Sequence, residues 1–199
     1  MAEERAQRRL TAILAADVVG YSRLMERDEA GTLAALKARR SEILQPLVSK
    51  HRGRVVKVMG DGVLVEFTSV LNAVQCGVQL QEAMAAANST LPEDHRILLR
   101  VGINLGDVIV EGSDLYGDGV NIAARLEALA DPGSVFVSDK VRQEVAGKFG
   151  LAFDDLGQQS LKNLAAPVQV YRVSVPGSAG SAAPSKVTGP AKPSTSFKM

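Results

Sequence analysis

The sequence predicts an α+β sandwich in which helices flank a largely antiparallel sheet. Three observations predict it. Short runs rich in Val, Ile and Leu, typical of strands, alternate with longer segments of helical periodicity. The Asp-Gly pair at Asp61-Gly62 lies between two of these runs, which is typical of a hairpin and therefore of antiparallel pairing. The 46% hydrophobic content of 199 residues suffices for the core of one domain.

The first predicted unit is a strand followed by a helix. Residues 10–19 form an apolar run that predicts a buried strand. The run ends in Asp17–Ser22, a turn signal that contains Gly20. A helix is expected next, because leucine and isoleucine recur at helical spacing as far as Leu47. His51-Arg52-Gly53 closes that helix.

A hairpin and a second helix follow. Residues 54–67 predict two strands around Gly60-Asp61-Gly62. Residues 70–87 predict a helix with one stripe of small and apolar residues, and a loop is expected over 88–94. Cys76 has small neighbours in this helical pattern, so we expect it in or near the core.

The second half of the chain predicts mostly strands. Residues 96–110 form one long strand, interrupted near Gly106. A turn at Asp114 leads into a short helix that ends at about Leu129. The remaining predicted elements are a turn at 131–133, a strand at 134–138, a short helix at 139–147, and two or three short strands that finish at 168–173.

Charge and cysteine content exclude several functional classes. The 23 basic and 22 acidic residues give a net charge of +1, which argues against broad binding to nucleic acid or anionic membranes. Cys76 is the only cysteine, so a reducing compartment is expected. No apolar run is long enough to span a bilayer, and the charged N-terminus lacks the apolar core of a signal peptide. We therefore expect a cytoplasmic protein.

Composition divides the chain into three parts. Residues 1–9 are a charged N-terminal segment, residues 10–173 are the expected folded domain, and residues 174–199 are rich in Pro, Gly, Ser and Ala. A segment of that last composition cannot bury a core, so it predicts a flexible tail or a linker to a further domain.

Residues 114–125, DLYGDGVNIAAR, are the most informative stretch of the chain. Asn121 and Arg125 are four residues apart and share one helix face. An amide and a guanidinium near a helix start suit a phosphate next to a sugar, and Asp114 could accept a hydrogen bond from a base. The alternative is a solvated turn before an ordinary helix, and this segment alone leaves both open.

Two aspartates indicate a possible metal site. Asp17 ends a buried strand and Asp61 lies at a hairpin tip, whereas carboxylates are rare beside apolar strands unless paired or metal-bound. On neighbouring strand ends they could hold divalent ions and leave room for substrate phosphates. The alternatives are a helix cap or Asx-turn for Asp17 and ordinary turn chemistry for Asp61.

Single basic residues are weaker candidates. Lys57 interrupts an apolar strand, which is typical of an edge strand or, alternatively, of a donor in a pocket. Lys162 is expected near a strand or loop end. It could bind phosphate as a point charge, or it could be an ordinary solvated lysine. His51 and His95 have no partner at ligand spacing, so we expect both at the surface. The chain contains no Walker lysine motif, complete dinucleotide fingerprint or nucleophile elbow.

Five segments occur in this order along the chain: AADVVGYSRLM, VVKVMGDGVLVEF, RVGINLGDVIVEG, DLYGDGVNIAARLE and LKNLAAPVQVYRV. Together they resemble the catalytic domain of class III nucleotidyl cyclases, the adenylate and guanylate cyclase family, and the resemblance runs from about Leu10 to Val173. The resemblance implies a ferredoxin-like sandwich and adenylate cyclase activity, with ATP as the substrate and cyclic AMP and pyrophosphate as the products.

The resemblance also implies metal-binding and purine-reading residues. Asp17, Asp61 and the backbone carbonyl of Val18 match the family's metal ligands, for two Mg²⁺ or Mn²⁺ ions per active site. Lys57 and Asp114 match the pair that reads the purine. This pair favours ATP, because guanylate cyclases of the family typically carry Glu and Cys or a similar residue instead.

The other matches concern the ribose and the phosphates. Asn121 matches the residue that orients the ribose, and Arg125 matches the one that stabilises the transition state at the α-phosphate. Lys162 matches a lysine that binds the β- and γ-phosphates, and Gly20 is expected among the substrate-binding residues. Many relatives have glycine after this lysine, whereas this chain has Asn163.

The implied reaction is in-line attack of the ribose 3′-hydroxyl on the α-phosphate, at sites shared across a head-to-tail homodimer. The metal-binding aspartates would come from one chain, and the purine-reading and transition-state residues from the other. The alternatives are a non-catalytic nucleotide-binding or dimerisation module, and a guanylate cyclase. Degenerate modules of this kind usually lose a metal-binding aspartate or the arginine, and this chain retains Asp17, Asp61 and Arg125.

Overall fold

The computed structural model describes residues 7–162, 164 and 166–174, and it confirms the α+β sandwich. The strands are β1 (Gln7–Val18), β2 (Gly53–Met59), β3 (Gly62–Phe67), β4 (Leu99–Glu111), β5 (Asp114–Tyr116), β6 (Val135–Ser138), β7 (Ala152–Gln159) and β8 (Val168–Ser174). The α-helices are α1 (Tyr21–Arg27), α2 (Glu29–Arg39), α3 (Gln45–Lys50), α4 (Val70–Asn88), α5 (Asp118–Leu129) and α6 (Asp139–Val145). The predicted terminal segments 1–9 and 174–199 lie outside the described residues, except for 7–9 and Ser174.

The sheet has the strand order β2-β3-β1-β4-β6-β8-β7, with β5 paired to β4. All described pairings are antiparallel except β4 with β6. The β1–β4 register sets Asp17 opposite Arg100, and the β1–β3 register sets Ala16 opposite Val63. The end of β1 therefore lies between the β2–β3 hairpin and the start of β4.

Strand β1 is central and is covered on both faces, which explains its continuous apolar run. Alternate residues of a strand point to opposite faces. Leu14 and Ala16 join the larger core beneath α4, whereas Ile13 and Ala15 join the core beneath α5. Cys76 of α4 is buried, as predicted.

Helix α5 packs on β4 with unusually close backbone contact. A Cβ atom on Gly102 would lie 2.2 Å from the backbone nitrogen of Glu127. A Cβ atom on Gly106 would lie 2.8 Å from the Cα atom of Gly119. These glycines let the helix approach the strand. The predicted interruption of the strand near Gly106 is wrong, because β4 continues through Gly106, which pairs with Thr11 of β1.

Two other predicted elements differ from the structure. The single helix predicted after the first turn is divided into α1, α2, a π-helical segment at Arg40–Leu44, and α3. Pro46 has no N–H to donate to the carbonyl four residues earlier, and such a loss favours a local change of helix type. The predicted turn at Asp114 is strand β5, in which Tyr116 pairs with Ile109 of β4.

The two histidines occupy different environments. His51 is only 7% exposed, so the prediction of a surface position is wrong. It ends α3, where its Nε2 atom lies 3.1 Å from Oε1 of Gln79 on α4. His95 has a side chain that is 55% exposed, as predicted. Within the described ranges, no helix combines the length and apolar character needed to cross a membrane.

Candidate active site

Asp17 and Asp61 line one open cleft of about 280 Å³. Asp17 is the penultimate residue of β1, and Asp61 lies in the tight connection between β2 and β3. Because β3 pairs with β1 in antiparallel register, the hairpin tip is held beside the end of β1. The sequence-based expectation that these two carboxylates lie on neighbouring strand ends is therefore confirmed.

The two carboxylates interact electrostatically. The pKa of Asp61 is raised to about 6, chiefly by burial and also by the neighbouring Asp17 carboxyl, while Arg40 opposes the shift. Two close acidic groups in a partly desolvated cleft form an unfavourable arrangement that a cation would relieve. Within the described residues, no group of three or more His, Cys, Asp or Glu side chains forms a metal cluster. Two carboxylates with free space around them nevertheless suit Mg²⁺, which takes few protein ligands and retains water or phosphate oxygens.

Glu127 also lines this cleft, and Arg100 pairs with both Glu127 and Asp17, although the sequence patterns predicted a role for neither Glu127 nor Arg100. The Arg100 Nη2 atom lies 3.0 Å from Oδ2 of Asp17, and its Nε atom lies 3.2 Å from Oε1 of Glu127. The pKa of Glu127 is raised to about 7, chiefly by burial and also by the Asp17 charge, while Arg100 opposes the shift. The signal was available, because Arg100 interrupts the apolar run between Leu99 and Val101.

Lys57 and Asp114 form a second polar centre. The Lys57 Nζ atom lies 2.7 Å from Oδ2 of Asp114, although the residues are 57 positions apart in the sequence. Hydrogen bonding and charge raise the pKa of Lys57 and lower that of Asp114, so both remain ionised at neutral pH. Lys57 also lies on β2, an edge strand. The structure is therefore compatible with both explanations for this lysine, an edge-strand residue or a hydrogen-bond donor in a pocket.

The start of α5 positions Asn121 and Arg125. Gly117 precedes the helix with a φ of 113°, a conformation that glycine adopts without strain. Buried Asn104 of β4 donates from Nδ2 to the Gly119 carbonyl at 3.1 Å, which fixes the first turn. Asn121 is exposed and Arg125 is half-buried, on one face of the helix as predicted.

A different face of α5 lines the cleft that contains Asp17 and Asp61, which we call the acidic cleft. The α5 residues that line this cleft are Val120, Ala124 and Glu127. Successive helical residues are about 100° apart, so Asn121 and Arg125 project to a different side of the helix. One chain therefore brings Asp17 and Asp61 together and pairs Lys57 with Asp114, but it does not bring Arg125 to the aspartates.

The remaining predicted site residues lie at element boundaries. Val18 is buried at the end of β1, where its backbone N–H donates to Oδ1 of Asp17 at 2.8 Å. Gly20 precedes α1 with a φ of 67°. Lys162 is exposed between β7 and β8, and its neighbour Asn163 lies outside the described residues.

Comparison with known proteins gives consistent matches. The family described as the adenylate and guanylate cyclase catalytic domain matches residues 4–174. A Rhizobium meliloti protein named putative adenylate cyclase 3 is 60% identical over 171 residues, which cover 86% of this chain and 29% of that protein.

Solved structures agree with this match. The crystal structure of an adenylate/guanylate cyclase/hydrolase from Silicibacter pomeroyi is 44% identical, with a TM-score of 0.81, and the match covers 86% of this chain and 99% of that one. The structure of the adenylyl cyclase CyaB from P. aeruginosa is 23% identical with a TM-score of 0.75, over 85% of this chain and 96% of that one, and it shows a common fold.

Proposed function

The chain belongs to the adenylate and guanylate cyclase catalytic domain family, and on that premise we propose that it converts ATP to 3′,5′-cyclic AMP and pyrophosphate. The observation that carries the proposal is the convergence of Asp17 and Asp61 on one cleft. Paired carboxylates are the chemistry required to hold the cations that accompany a nucleoside triphosphate. Residues 10–173 are proposed as the catalytic unit.

The residues at the end of β1 would hold the metal ions. Asp17, Asp61 and the Val18 carbonyl are hard oxygen donors suited to two Mg²⁺ or Mn²⁺ ions. When bound, such ions supply charge neutralisation for the triphosphate and acidify the attacking hydroxyl. The ion pair between Arg100 and Asp17 would orient the carboxylate toward the cleft.

Lys57 and Asp114 would select the base. An ammonium group can donate to adenine N1, and an ionised carboxylate can accept from the N6 amino group. Their 2.7 Å separation sets donor and acceptor side by side, as an adenine edge requires. This pair supports ATP as the preferred substrate over GTP.

Residues of α5 and the β7–β8 connection would hold the sugar and the phosphates. Asn121 would orient the ribose so that its 3′-hydroxyl faces the α-phosphorus in line, which is the main requirement of phosphoryl transfer. Arg125 would stabilise the charge that develops on the α-phosphate, a contribution worth about 10²–10³-fold in rate. Lys162 would bind the β- and γ-phosphates as a point charge, and Gly20 would let its backbone lie close to the nucleotide.

The active site would be completed by a second copy of the chain. Asn121 and Arg125 do not line the cleft of Asp17 and Asp61, which supports a site in which a nucleotide contacts the two sets on different chains. In a head-to-tail homodimer, each chain would contribute its aspartates to one site and its α5 residues to the other.

Product analysis tests the proposed activity. The protein is incubated with ATP or GTP and Mg²⁺ or Mn²⁺ over a range of protein concentrations, and cyclic nucleotide is quantified. We expect cyclic AMP from ATP, with a specific activity that rises with protein concentration as dimers form. Asp17→Ala should abolish it, whereas the control Asp154→Ala, on the opposite edge of the sheet, should not.

Two outcomes would contradict the proposal. Cyclic GMP as the preferred product would favour a guanylate cyclase. A confirmed dimer that binds ATP but forms no product with either metal would favour a non-catalytic nucleotide-binding module.

A further inference from the structure

Tyr116 contacts both members of the Lys57–Asp114 pair. Its hydroxyl donates to Oδ2 of Asp114 at 3.1 Å, and the Lys57 Nζ atom lies 5.9 Å from the centre of its ring. Tyr116 is 46% exposed and does not belong to the buried core clusters of the described residues. Packing of the core therefore does not explain these contacts.

A lysine–aspartate pair selects adenine over guanine only when each side chain keeps its place. Adenine presents a donor at N6 and an acceptor at N1, whereas guanine presents an acceptor at O6 and a donor at N1. Each base thus offers one donor and one acceptor to one ammonium and one carboxylate. If the two side chains exchanged places, the same pair would match guanine. Selectivity for adenine therefore requires that each side chain be held in its place.

Three contacts hold the carboxylate of Asp114. Oδ1 accepts from the Leu115 backbone N–H at 2.8 Å, and Oδ2 accepts from Lys57 at 2.7 Å and from the Tyr116 hydroxyl at 3.1 Å. A carboxylate has about four acceptor positions, so about one remains for a substrate amino group. The Leu115 bond tethers Oδ1, and the Tyr116 hydroxyl fixes the rotation that Lys57 alone would leave free.

The protonation states support this arrangement. The Lys57 hydrogen bond is the largest of the interactions that lower the pKa of Asp114, so the carboxylate acts only as an acceptor. The hydrogen bond to Asp114 raises the pKa of Tyr116, so its hydroxyl remains a donor at neutral pH. Asp114 is therefore an acceptor and the Tyr116 hydroxyl a donor at neutral pH.

We propose that Tyr116 is a positioning residue for purine selection, which holds the Asp114 carboxylate beside the Lys57 ammonium in the arrangement that accepts adenine and rejects guanine. This inference rests on the proposed function. Tyr116→Phe removes only the hydroxyl and keeps the ring near Lys57. Tyr116→Leu also removes the ring. Tyr171→Phe is the matched control, because the Tyr171 ring of β8 lies 5.3 Å from the Arg142 guanidinium, far along the sheet.

The test compares ATP with GTP in two ways. The ratio of the kcat/KM value for ATP cyclisation to that for GTP cyclisation is measured first. The ratio of the association constant for 3′-deoxy-ATP to that for 3′-deoxy-GTP is then measured by calorimetry, which needs no turnover because these nucleotides lack the attacking hydroxyl. We expect Tyr116→Phe to lower both ratios by about 5- to 20-fold, as expected for one partly exposed hydrogen bond to a charged group. Tyr116→Leu should lower them further, and Tyr171→Phe should leave them unchanged.

The outcomes separate this inference from the proposed function. If the wild-type protein cyclises neither nucleotide but the binding ratio falls in Tyr116→Phe, the catalytic proposal fails and the Tyr116 inference stands. If Tyr116→Phe loses activity or affinity equally for both nucleotides, Tyr116 has only a structural role and the inference is wrong. If neither deoxynucleotide binds the wild-type protein, both proposals are wrong.

Discussion

At the scale of single residues, the proposed substrate choice depends on two charges of opposite sign held 2.7 Å apart. Lys57 comes from an edge strand and Asp114 from the short strand β5, and neither belongs to the buried core. Their mutual attraction is weakened by solvent, because the side chains are 41% and 25% exposed. The pair is therefore better suited to base recognition than to stabilising the fold, which makes it a good target for substitution.

Exchange of this pair should change the purine preference. The double substitution Lys57→Glu with Asp114→Cys removes the donor for adenine N1 and the acceptor for its amino group. We expect the preference to shift from ATP toward GTP, measured as the ratio of kcat/KM values. The charge-matched control Lys140→Glu, on the exposed side of α6, should leave the ratio unchanged. An unchanged preference for ATP in the double variant would show that these residues do not read the base.

The sequence predicted several of the candidate site residues because each breaks a local pattern. Asp17 and Asp61 follow or separate apolar runs, and Lys57 interrupts one. Arg100 was missed because its partner Asp17 is 83 positions away, and only the β1–β4 register brings the two together. Tyr116 was missed for a related reason: its function depends on a hydroxyl direction that no spacing in the sequence specifies.

At the scale of elements, the position of α5 depends on glycines in β4 and in its own first turn. The contact at Gly102 is backbone against backbone, so it cannot be relieved by rotation of a side chain. Because Asn121 and Arg125 lie on this helix, a displacement of α5 would also displace both side chains. The same close approach explains why a glycine occurs at position 106 within the continuous strand β4.

Substitution of Gly102 should therefore destabilise the domain. We expect Gly102→Ala to lower the free energy of unfolding by about 1–3 kcal/mol, because the new Cβ atom forces a shift of the backbone. Urea denaturation followed by circular dichroism measures the change. The control is Gly77→Ala in α4, where the new Cβ atom would meet the end of the Ile103 side chain at 3.1 Å, which can move. Equal stability of both variants would contradict the proposed role of close packing.

Helix α4 gives a second prediction at the scale of elements, and this one concerns pH. Burial raises the pKa of the Cys76 thiol to about 12. A folded-state pKa above the unfolded value of 9.0 means that the neutral thiol favours the native state. This contribution is fully present below about pH 9 and is lost as the pH rises toward 12.

Cys76 should accordingly resist thiol reagents in the native state at neutral pH and react once urea unfolds the chain. Replacement by alanine should make the free energy of unfolding less sensitive to alkaline pH than in the wild-type protein. Reaction with a thiol reagent and urea titration at neutral and alkaline pH measure these effects. Rapid modification of native protein at neutral pH would contradict the assigned burial.

At the scale of the whole molecule, periodicity and turn signals were sufficient to predict the α+β sandwich and the order of most elements. They did not reveal the π-helical segment, since a leucine spacing cannot show how the chain accommodates Pro46. They also did not show which face of α5 lines the acidic cleft. The orientation of α5 bears on the proposed dimer, because Arg125 does not line the acidic cleft of its own chain.

The central claim is that aspartates of one chain act together with the α5 residues of another, and complementation tests it most directly. Asp17→Ala and Arg125→Ala should each lose almost all cyclic AMP formation as pure proteins. In an equal mixture about half of the dimers are mixed, and each mixed dimer holds one intact site of two, so about a quarter of the wild-type activity should return. A mixture that exchanges subunits but remains as inactive as its components would contradict the account.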